Sequence, residues 1–270
     1  MAIGIVAHAA LRREGGRARV LARLSASVYL TAGGELVWLG GPEAPLHPRA
    51  VLAPGAQALG RDDVLLDAGS LAPWRPPSPA LGPGSAERLV TSWRDLTAGL
   101  GVLGAPRGFG ALIAGGPLEF PLARARTSAE ALARACTRDD AAAAADAAIE
   151  LVGLGGGLTP SGDDYVGGVL FARRGLAAAG FADPAAWGRA AGAVLRSART
   201  RTHPISFTLL RDLAAGLGWA PLHELLAALG RAASRDALDA AGRVSRLGHS
   251  SGWDLLAGLG AGLGGRGGVQ

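Results

Sequence analysis

Residues 153–164 read Gly-Leu-Gly-Gly-Gly-Leu-Thr-Pro-Ser-Gly-Asp-Asp. They combine a flexible backbone with a helix-start signal and two adjacent carboxylates, and few structural needs require all three together. The Ala-rich segment before them ends at Val152 and is typical of a helix, so a left-handed helix end is expected at Gly153. The stretch therefore predicts two helices joined by a glycine-rich loop.

Two capping patterns are open for the helix that follows this loop. Thr159 can be the N-cap, with Pro160 at the first helical position. Ser161 can be the N-cap instead, with Asp164 as the acidic residue of a capping box. Either pattern leaves backbone N–H groups at a helix N-terminus, where geometry and the helix dipole favour an anion. Known phosphate motifs do not fit, because Pro160 stands where a P-loop has lysine and Leu158 where the dinucleotide fingerprint has its third glycine.

The segment 161–169 recurs 90 residues later as segment 251–259. Both copies read Ser-Gly-x-Asp, then two apolar residues, a small residue, a glycine and another apolar residue. We expect both to begin helices that cross closely at Gly168 and Gly258, because glycine inside a helix permits close approach. The repeat thus predicts two helix N-termini that share a pocket. The plainer interpretation is that its serines and aspartates only cap their own helices.

A third helix start lies between these copies. Residues 200–206 read Thr-Arg-Thr-His-Pro-Ile-Ser, and Pro204 suits the first helical position. His203 in this segment and His249 before the second copy each precede a helix start that carries a hydroxyl, so both are candidate acid–base residues. A structural role for both histidines is the alternative.

Segments 157–164, 202–206 and 248–256 together resemble the AllH family. The named member of that family is a subunit of bacterial oxamate carbamoyltransferase, and the resemblance is carried by the C-terminal half of this chain. It implies membership of a multi-subunit enzyme that interconverts oxalurate and phosphate with oxamate and carbamoyl phosphate, in allantoin-type purine breakdown. It also implies other carbamoyltransferase subunits as partners. It implies no residue roles, so the candidate site rests on the residues themselves.

We predict a small-anion site formed by the glycine loop, the 249–252 turn and the 202–206 turn. Oriented donors at helix N-termini suit carbamoyl transfer because charge develops on a carbonyl oxygen. Carboxylates can orient a histidine or a carbamoyl NH2 group but repel an oxyanion, unless a metal ion is bound or they turn toward the backbone. The catalytic candidates are His249, Asp163, Asp164 and Asp254. The substrate- or anion-binding candidates are Gly155, Gly156, Gly157, Thr159, Ser161, Gly162, His203, Ser206, Ser250, Ser251 and Gly252.

Other classes of function stay open at this stage. The Ser-Gly-x-Asp turns can equally hold helices together in a non-catalytic ligand-binding or assembly subunit. A metal-dependent hydrolase or carboxylase-like enzyme that uses Asp163 and Asp164 is another alternative. The sequence has no ligand spacing for zinc. Mg2+ is a candidate, since it accepts carboxylates together with phosphate oxygens and water, and no other cofactor is implied.

Composition bears on the partners of the protein, the role of its cysteine and its location. The 270 residues include 27 basic residues, all of them arginine, and the net charge of +5 is not gathered into basic blocks, so we expect no nucleic-acid partner. Cys136 is the single cysteine, lies in a helix-like segment and is expected to pack in the core. No apolar run is long enough for a membrane span and the first residues lack a basic leader, so we expect a cytoplasmic protein without membrane contact.

The pattern of elements changes near residue 122. Before it, short β-like runs alternate with Gly and Pro turns, among them a hairpin connection at 31–34 and a Pro-rich surface loop at 73–79. One amphipathic helix, with Ser85 as its predicted N-cap, interrupts this part. After it, capping boxes are predicted at Thr127 and Thr137, and helices follow one another. This predicts an α+β protein with a β-rich part at 1–122 and an all-helical part at 123–270. The predicted β-like runs are 19–30, 35–39, 63–67 and 109–114, and the predicted later helices are 164–179, 184–198, 204–216, 221–230 and 234–246.

Overall fold

The computed structural model describes residues 1–24, 27–55, 64–77, 81 and 84–264. The chain divides into two compact units. The first comprises Met1–Pro77 and Leu217–Ala220, and the second comprises Ser78–Gly216 and Pro221–Gln270. The α+β class is confirmed, with the strands in the N-terminal half and most helices in the C-terminal half. The division into domains at residue 122 follows composition alone and stays a prediction.

The first unit is a seven-stranded sheet with one helix, α1 (Ile5–Arg13), as far as the described residues show. The strand order is β6-β2-β3-β4-β5-β1-β7, and the β4–β5 and β1–β7 pairs are parallel while the others are antiparallel. The strands are β1 (Ala2–Gly4), β2 (Arg17–Arg23), β3 (Ser27–Ala32), β4 (Glu35–Gly40), β5 (Ala50–Leu52), β6 (Val64–Leu65) and β7 (Pro73–Trp74).

The predicted hairpin is confirmed as the connection between β3 and β4. Gly33 and Gly34 have φ values of 56° and 80°, which suit the tight turn that matches strand twist. Apolar side chains of these strands, such as Leu30 and Val37, are fully buried and form one core cluster with Leu11 of α1. The sheet therefore owes its stability to this apolar face packed against a helix.

The second unit is helical. Its α-helices are α2 (Ser85–Gly99), α3 (Arg126–Thr137), α4 (Ala141–Leu151), α5 (Ser161–Ala178), α6 (Pro184–Arg201), α7 (Pro204–Ala214), α8 (Ala220–Gly230), α9 (Ser234–Ser245) and α10 (Ser251–Gly262). Residue Ala220 of α8 is grouped with the first unit. Short 3₁₀ helices cover Leu100–Leu103, Gly108–Leu112 and Leu122–Ala125. No helix of the described chain is both long and apolar enough to cross a membrane.

Several local capping predictions are wrong. Ser85 and Thr127 lie inside the first turns of α2 and α3, and neither helix has a side-chain cap. Thr137 ends α3, where its hydroxyl donates to the carbonyl of Ala133. The N-cap of α4 is Asp140, whose carboxylate accepts from the N–H of Ala143 at 3.0 Å. A capping pattern in sequence does not decide where a helix starts, because packing of the apolar face dominates helix stability.

Three of the β-like runs also need correction. The run 109–114 forms a 3₁₀ helix, Gly108–Leu112, whose close packing on α10 replaces strand pairing. In the run 63–67 only Val64–Leu65 forms a strand among the described residues, since Asp63 lies outside them. The run 19–30 divides between two strands. Within the predicted loop 73–79, Pro73–Trp74 pairs with β1, and residues 78 and 79 lie outside the described chain.

Helices α5 and α10 pack closely along their lengths, and their predicted close crossing is confirmed. A Cβ added to Gly258 would lie 2.0 Å from the carbonyl oxygen of Tyr165. A Cβ added to Gly168 would lie 2.4 Å from the carbonyl oxygen of Leu255. Real Cβ atoms do not approach so closely, so both glycines are required by the contact of the two backbones.

Candidate functional site

The N-termini of α5 and α10 lie side by side. Across them, Ser161 Oγ is 3.3 Å from Ser250 Oγ, and Thr159 Oγ1 is 3.2 Å from Ser251 Oγ. We call these four residues the hydroxyl cluster. Residues about 90 positions apart in sequence meet here because the glycine crossing brings the two helices together. The two Ser-Gly-x-Asp turns therefore converge, as the repeat predicts.

The glycines of both motifs serve helix packing. A Cβ at Gly162 would lie 1.9 Å from the carbonyl oxygen of Leu151, and one at Gly252 would lie 1.9 Å from that of Val244. Their N–H groups also have partners, since Gly162 N donates to Leu154 O at 2.8 Å and Gly252 N to Leu247 O at 2.9 Å. These two backbone donors are thus engaged within the fold, which leaves the hydroxyls as the candidate donors of the two motifs.

Neither predicted side-chain cap of α5 forms. The flanking residue of this helix is Pro160, without a side-chain hydrogen bond to the first turn. Gly153, at the end of α4, has the expected positive φ of 80°. In the loop, Gly155 and Gly157 have φ values of 112° and 87°, which L side chains rarely adopt, while Gly156 is exposed with open space around its Cα. The loop glycines therefore shape the turn that leads into the hydroxyl cluster.

Two buried carboxyl groups lie beside the hydroxyl cluster. Asp254 has no exposed surface, and its Oδ1 accepts a hydrogen bond from the N–H of Phe109 at 2.6 Å. Burial raises the pKa of Asp254 to about 7, against the opposing effect of the Phe109 N–H and the Ser161 and Ser250 hydroxyls. Those hydroxyls are near, but they do not meet hydrogen-bond geometry at Oδ2, which has no partner among the described residues.

Asp164 occupies the matching position of the first motif. Its side chain is 4% exposed, and burial raises its pKa well above the ordinary value. The neighbouring charge of Asp254 acts in the same direction, whereas the hydroxyls of Ser251 and Thr159 oppose it. Its Oδ2 also lacks a hydrogen-bond partner among the described residues. Both carboxyls thus hold a proton more readily than an exposed aspartate, and in the protonated form each can donate a hydrogen bond.

Asp163 has a different environment, although it adjoins Asp164. Its Oδ1 accepts from the N–H of Gly153 at 2.8 Å, and its Oδ2 accepts from the hydroxyls of Thr202 and Ser206, the latter at 2.5 Å. These partners come from the end of α4 and from the α6–α7 junction. Asp163 therefore joins three parts of the helical unit.

The third predicted helix start is connected to Asp163. His203 is the N-cap of α7, where its Nδ1 accepts from the N–H of Ile205 at 3.2 Å, and its side chain is exposed. Ser206 is buried, with its hydroxyl on Asp163. The contacts of His203 and Ser206 are thus to the α7 backbone and to Asp163. The hydroxyl cluster is built without either residue.

Arg107 is a residue of the candidate site that no sequence motif indicates. Its Nη1 lies 3.1 Å from Nδ1 of His249 and donates to the His249 carbonyl at 3.2 Å, and both side chains are exposed. Gly108 follows with φ of 56°, and a Cβ there would lie 2.2 Å from Oδ1 of Asp254. The only signal in the sequence was an arginine beside two closely spaced glycines, which does not indicate a partner 142 residues away.

The side chains at the candidate site give limited support for a bound metal ion. The described residues contain no group of three or more His, Cys, Asp or Glu side chains that could hold a metal ion. Asp163, which the hydrolase alternative requires, already accepts three hydrogen bonds. A Mg2+ ion at these aspartates stays a prediction.

The site as described is a helical scaffold whose paired N-termini present hydroxyls, two buried carboxyls and an arginine–histidine pair. Residues 151–263 match the AllH family, described as oxamate carbamoyltransferase subunit AllH. The match runs from the last residue of α4 to the residue after α10, so it contains both Ser-Gly-x-Asp motifs and confirms the family resemblance over this part of the chain. No curated protein and no solved structure matches the chain.

Proposed function

We propose that the chain is an AllH-like subunit of a cytoplasmic carbamoyltransferase complex that acts on oxamate and carbamoyl phosphate in purine (allantoin) catabolism, and that it binds a small anionic substrate at the hydroxyl cluster. One observation carries the proposal. Two helix N-termini meet so that four hydroxyls lie together beside two buried carboxyls, with Arg107 and His249 adjacent. The family match over residues 151–263, which contain the four hydroxyls, both carboxyls and His249, supports the assignment to a carbamoyltransferase subunit.

The raised pKa values of the two carboxyls lessen the main objection to an anion here. An ionised Asp254 would repel phosphate or oxamate, but burial raises its pKa to about 7, and that of Asp164 well above its ordinary value. A protonated carboxyl donates a hydrogen bond, as the hydroxyls also do. The group of donors suits the oxygens of a small anion and the charge that develops on a carbamoyl carbonyl during transfer.

Arg107 and His249 complete the proposed roles. Arg107 supplies the fixed positive charge that holds an anion at the exposed side of the cluster. His249 contacts the Arg107 guanidinium. It is the candidate group that moves a proton to or from the nitrogen that attacks or departs during transfer.

The binding part of this proposal is tested on the isolated chain by calorimetric titration with inorganic phosphate and with oxamate. We expect Ser161→Ala and Ser250→Ala each to weaken binding by about fivefold, because each removes one neutral hydrogen bond. Ser234→Ala, at the exposed start of α9, is the matched control and should bind as the unchanged chain does. Equal affinities for all three variants, or no binding of either anion, would reject the hydroxyl cluster as an anion site.

A non-catalytic binding or assembly subunit is the second candidate. It is favoured by the fact that the hydroxyls bond one another and that Asp163 is used to join helices. Assays of the assembled complex with His249→Gln separate the two functions. A catalytic role predicts a large fall in kcat, whereas a subunit that only binds or assembles predicts an unchanged kcat with altered KM or complex yield.

A further inference from the structure

A large cavity lies within the helical unit, apart from the hydroxyl cluster. Its volume is about 510 Å³, which falls in the range of small-molecule sites. Helices α2, α3, α5 and α10 and the segment around Leu112 enclose it. None of the four hydroxyl-cluster residues lines it.

Small side chains on two of its walls leave space for the cavity. Ala129 and Ala133 line it from α3, and Ala257, Gly260 and Ala261 line it from α10. Large apolar groups form the remainder, chiefly Trp93, Leu112, Ile113 and Tyr165. Trp93 is 2% exposed and lies so close to Gly260 that an added Cβ would be 2.4 Å from the indole ring. The tryptophan is therefore fixed in place against the backbone of α10, and the cavity has a rigid apolar wall.

The exposed part of the cavity lining is positively charged. Arg126, Arg134 and Arg138 line it together with a single acid, Glu130. Glu130 is shared between Arg126 at 3.3 Å and Arg134 at 3.8 Å, and Arg138 has no ion pair with a described residue. Arg134 is 57% exposed, so its guanidinium remains accessible at the surface. Three cations against one anion leave a surplus positive charge beside an apolar interior.

We propose that this cavity binds a small organic acid with an apolar body, such as an aromatic or branched-chain carboxylate, as a second ligand of the protein. The apolar body replaces water against the alanines and Trp93, and the acid group lies at the arginines. The hydroxyls of Thr97, Thr137 and Tyr165 also line the cavity, but each donates to a backbone carbonyl, which disfavours a polar anion such as free phosphate or oxamate. The site is thus chemically distinct from the hydroxyl cluster, and its existence does not depend on the proposed carbamoyl chemistry.

Two fluorescent probes with related ring systems test the proposal. Anilinonaphthalene sulfonate carries an acid group, and phenylnaphthylamine lacks it. We expect saturable binding of one molecule of each per chain, with energy transfer from tryptophan. Arg134→Gln combined with Arg138→Gln should weaken the sulfonate probe by about two- to fivefold, since exposed charge pairs contribute modestly, and should leave the neutral probe unchanged. Arg235→Gln, an exposed arginine outside the cavity, is the matched control.

Ala133→Leu tests the apolar interior. The added branches fill space that the ligand needs, and we expect both probes to bind about 5- to 100-fold more weakly. Ala178→Leu, at the exposed end of α5, should bind both probes normally. Circular dichroism and thermal unfolding confirm that each variant is folded.

Unchanged probe affinity in Ala133→Leu, unsaturable binding, or an equal loss of the neutral probe in the arginine variant would overturn the proposal. Displacement of both probes only by a partner subunit, and not by aromatic or branched-chain carboxylates, would assign the cavity to a protein interface instead and also overturn it.

Discussion

Three aspartates lie at the paired N-termini of α5 and α10, all buried, and their hydrogen bonds set them apart. Asp163 accepts from three donors, so both of its carboxyl oxygens are engaged within the fold. Asp164 and Asp254 each keep one oxygen without a partner among the described residues, and burial raises the pKa of both. Adjacent residues of one motif therefore have different chemistry.

The first prediction concerns Asp163→Asn. The amide places an N–H2 group against donors from Gly153, Thr202 or Ser206, so a buried hydrogen bond is lost. We expect the free energy of unfolding to fall by about 2–3 kcal/mol, measured by urea titration. Asp146→Asn, on the exposed side of α4, should stay within about 0.5 kcal/mol. A variant of normal stability that has lost activity would show instead that Asp163 acts in the chemistry.

The second prediction concerns the pH dependence caused by Asp254. Its folded-state pKa of about 7 lies above the value of about 3.9 for an unfolded aspartate. The folded state binds the extra proton between these values, so the free energy of unfolding falls as pH rises from about 4 to about 7. Asp254→Asn retains an acceptor for the Phe109 N–H and removes this titration.

The measurement compares urea unfolding at about pH 5 and about pH 8. The unchanged chain should lose a few kcal/mol more than Asp254→Asn over this interval, with Asp164 producing a residual slope of the same sign in the variant. Parallel stability curves for the two proteins would mean that Asp254 is already ionised in the folded state.

At the scale of elements, the α5–α10 pair organises the site. Its glycines permit contact between backbones, and this contact places the two helix starts side by side. The 3₁₀ helix Gly108–Leu112 then packs on α10, and the N–H of Phe109 reaches Asp254. Phe109 also stacks on Tyr165 of α5, with ring centroids 4.7 Å apart. One short segment thus contacts both helices just inside the site.

The third prediction is that Gly258→Ala separates these helices. Its Cβ would lie 2.0 Å from the carbonyl oxygen of Tyr165. We expect the free energy of unfolding to fall by about 3 kcal/mol, because a backbone carbonyl cannot move aside without moving the helix. Thermal and urea unfolding measure it. Gly188→Ala is the matched control, since Gly188 is exposed inside α6 with open space around it and should gain about 0.5–1 kcal/mol. Similar small gains for both variants would contradict the close crossing.

At the scale of the whole molecule, charge favours anions. The net charge of +5 adds a general attraction to the local one at Arg107. The fourth prediction is that phosphate affinity falls about threefold or more as ionic strength rises from about 0.02 to about 0.2 M, because salt screens exposed charges. Calorimetric titration measures this fall.

Two variants separate the local charge from the general one. Arg107→Gln should reduce both the affinity and its dependence on salt, whereas Arg235→Gln changes the net charge equally and should alter neither by much. The same loss in both variants would mean that binding responds to overall charge and not to Arg107.

Local signals in the sequence are sufficient to predict the helical second half, the β3–β4 hairpin and the starts of α5 and α10. Helical periodicity, Pro204 at a first helical position and glycines at positive φ depend on interactions within a few residues. The repeat even indicated the helix crossing, because glycine in a helix interior is costly unless a neighbour needs the space.

The contacts of the candidate site residues depend on the tertiary structure. Nothing near Asp163 in sequence shows that it accepts from Thr202 and Ser206, and nothing near Asp254 shows that Phe109, 145 residues away, donates to it. The capping boxes and the 109–114 strand failed for the same reason, since long-range packing outweighs a local preference of about 1 kcal/mol. Burial, which sets the pKa of Asp164 and Asp254, is a property of the assembled helices and is absent from any single segment.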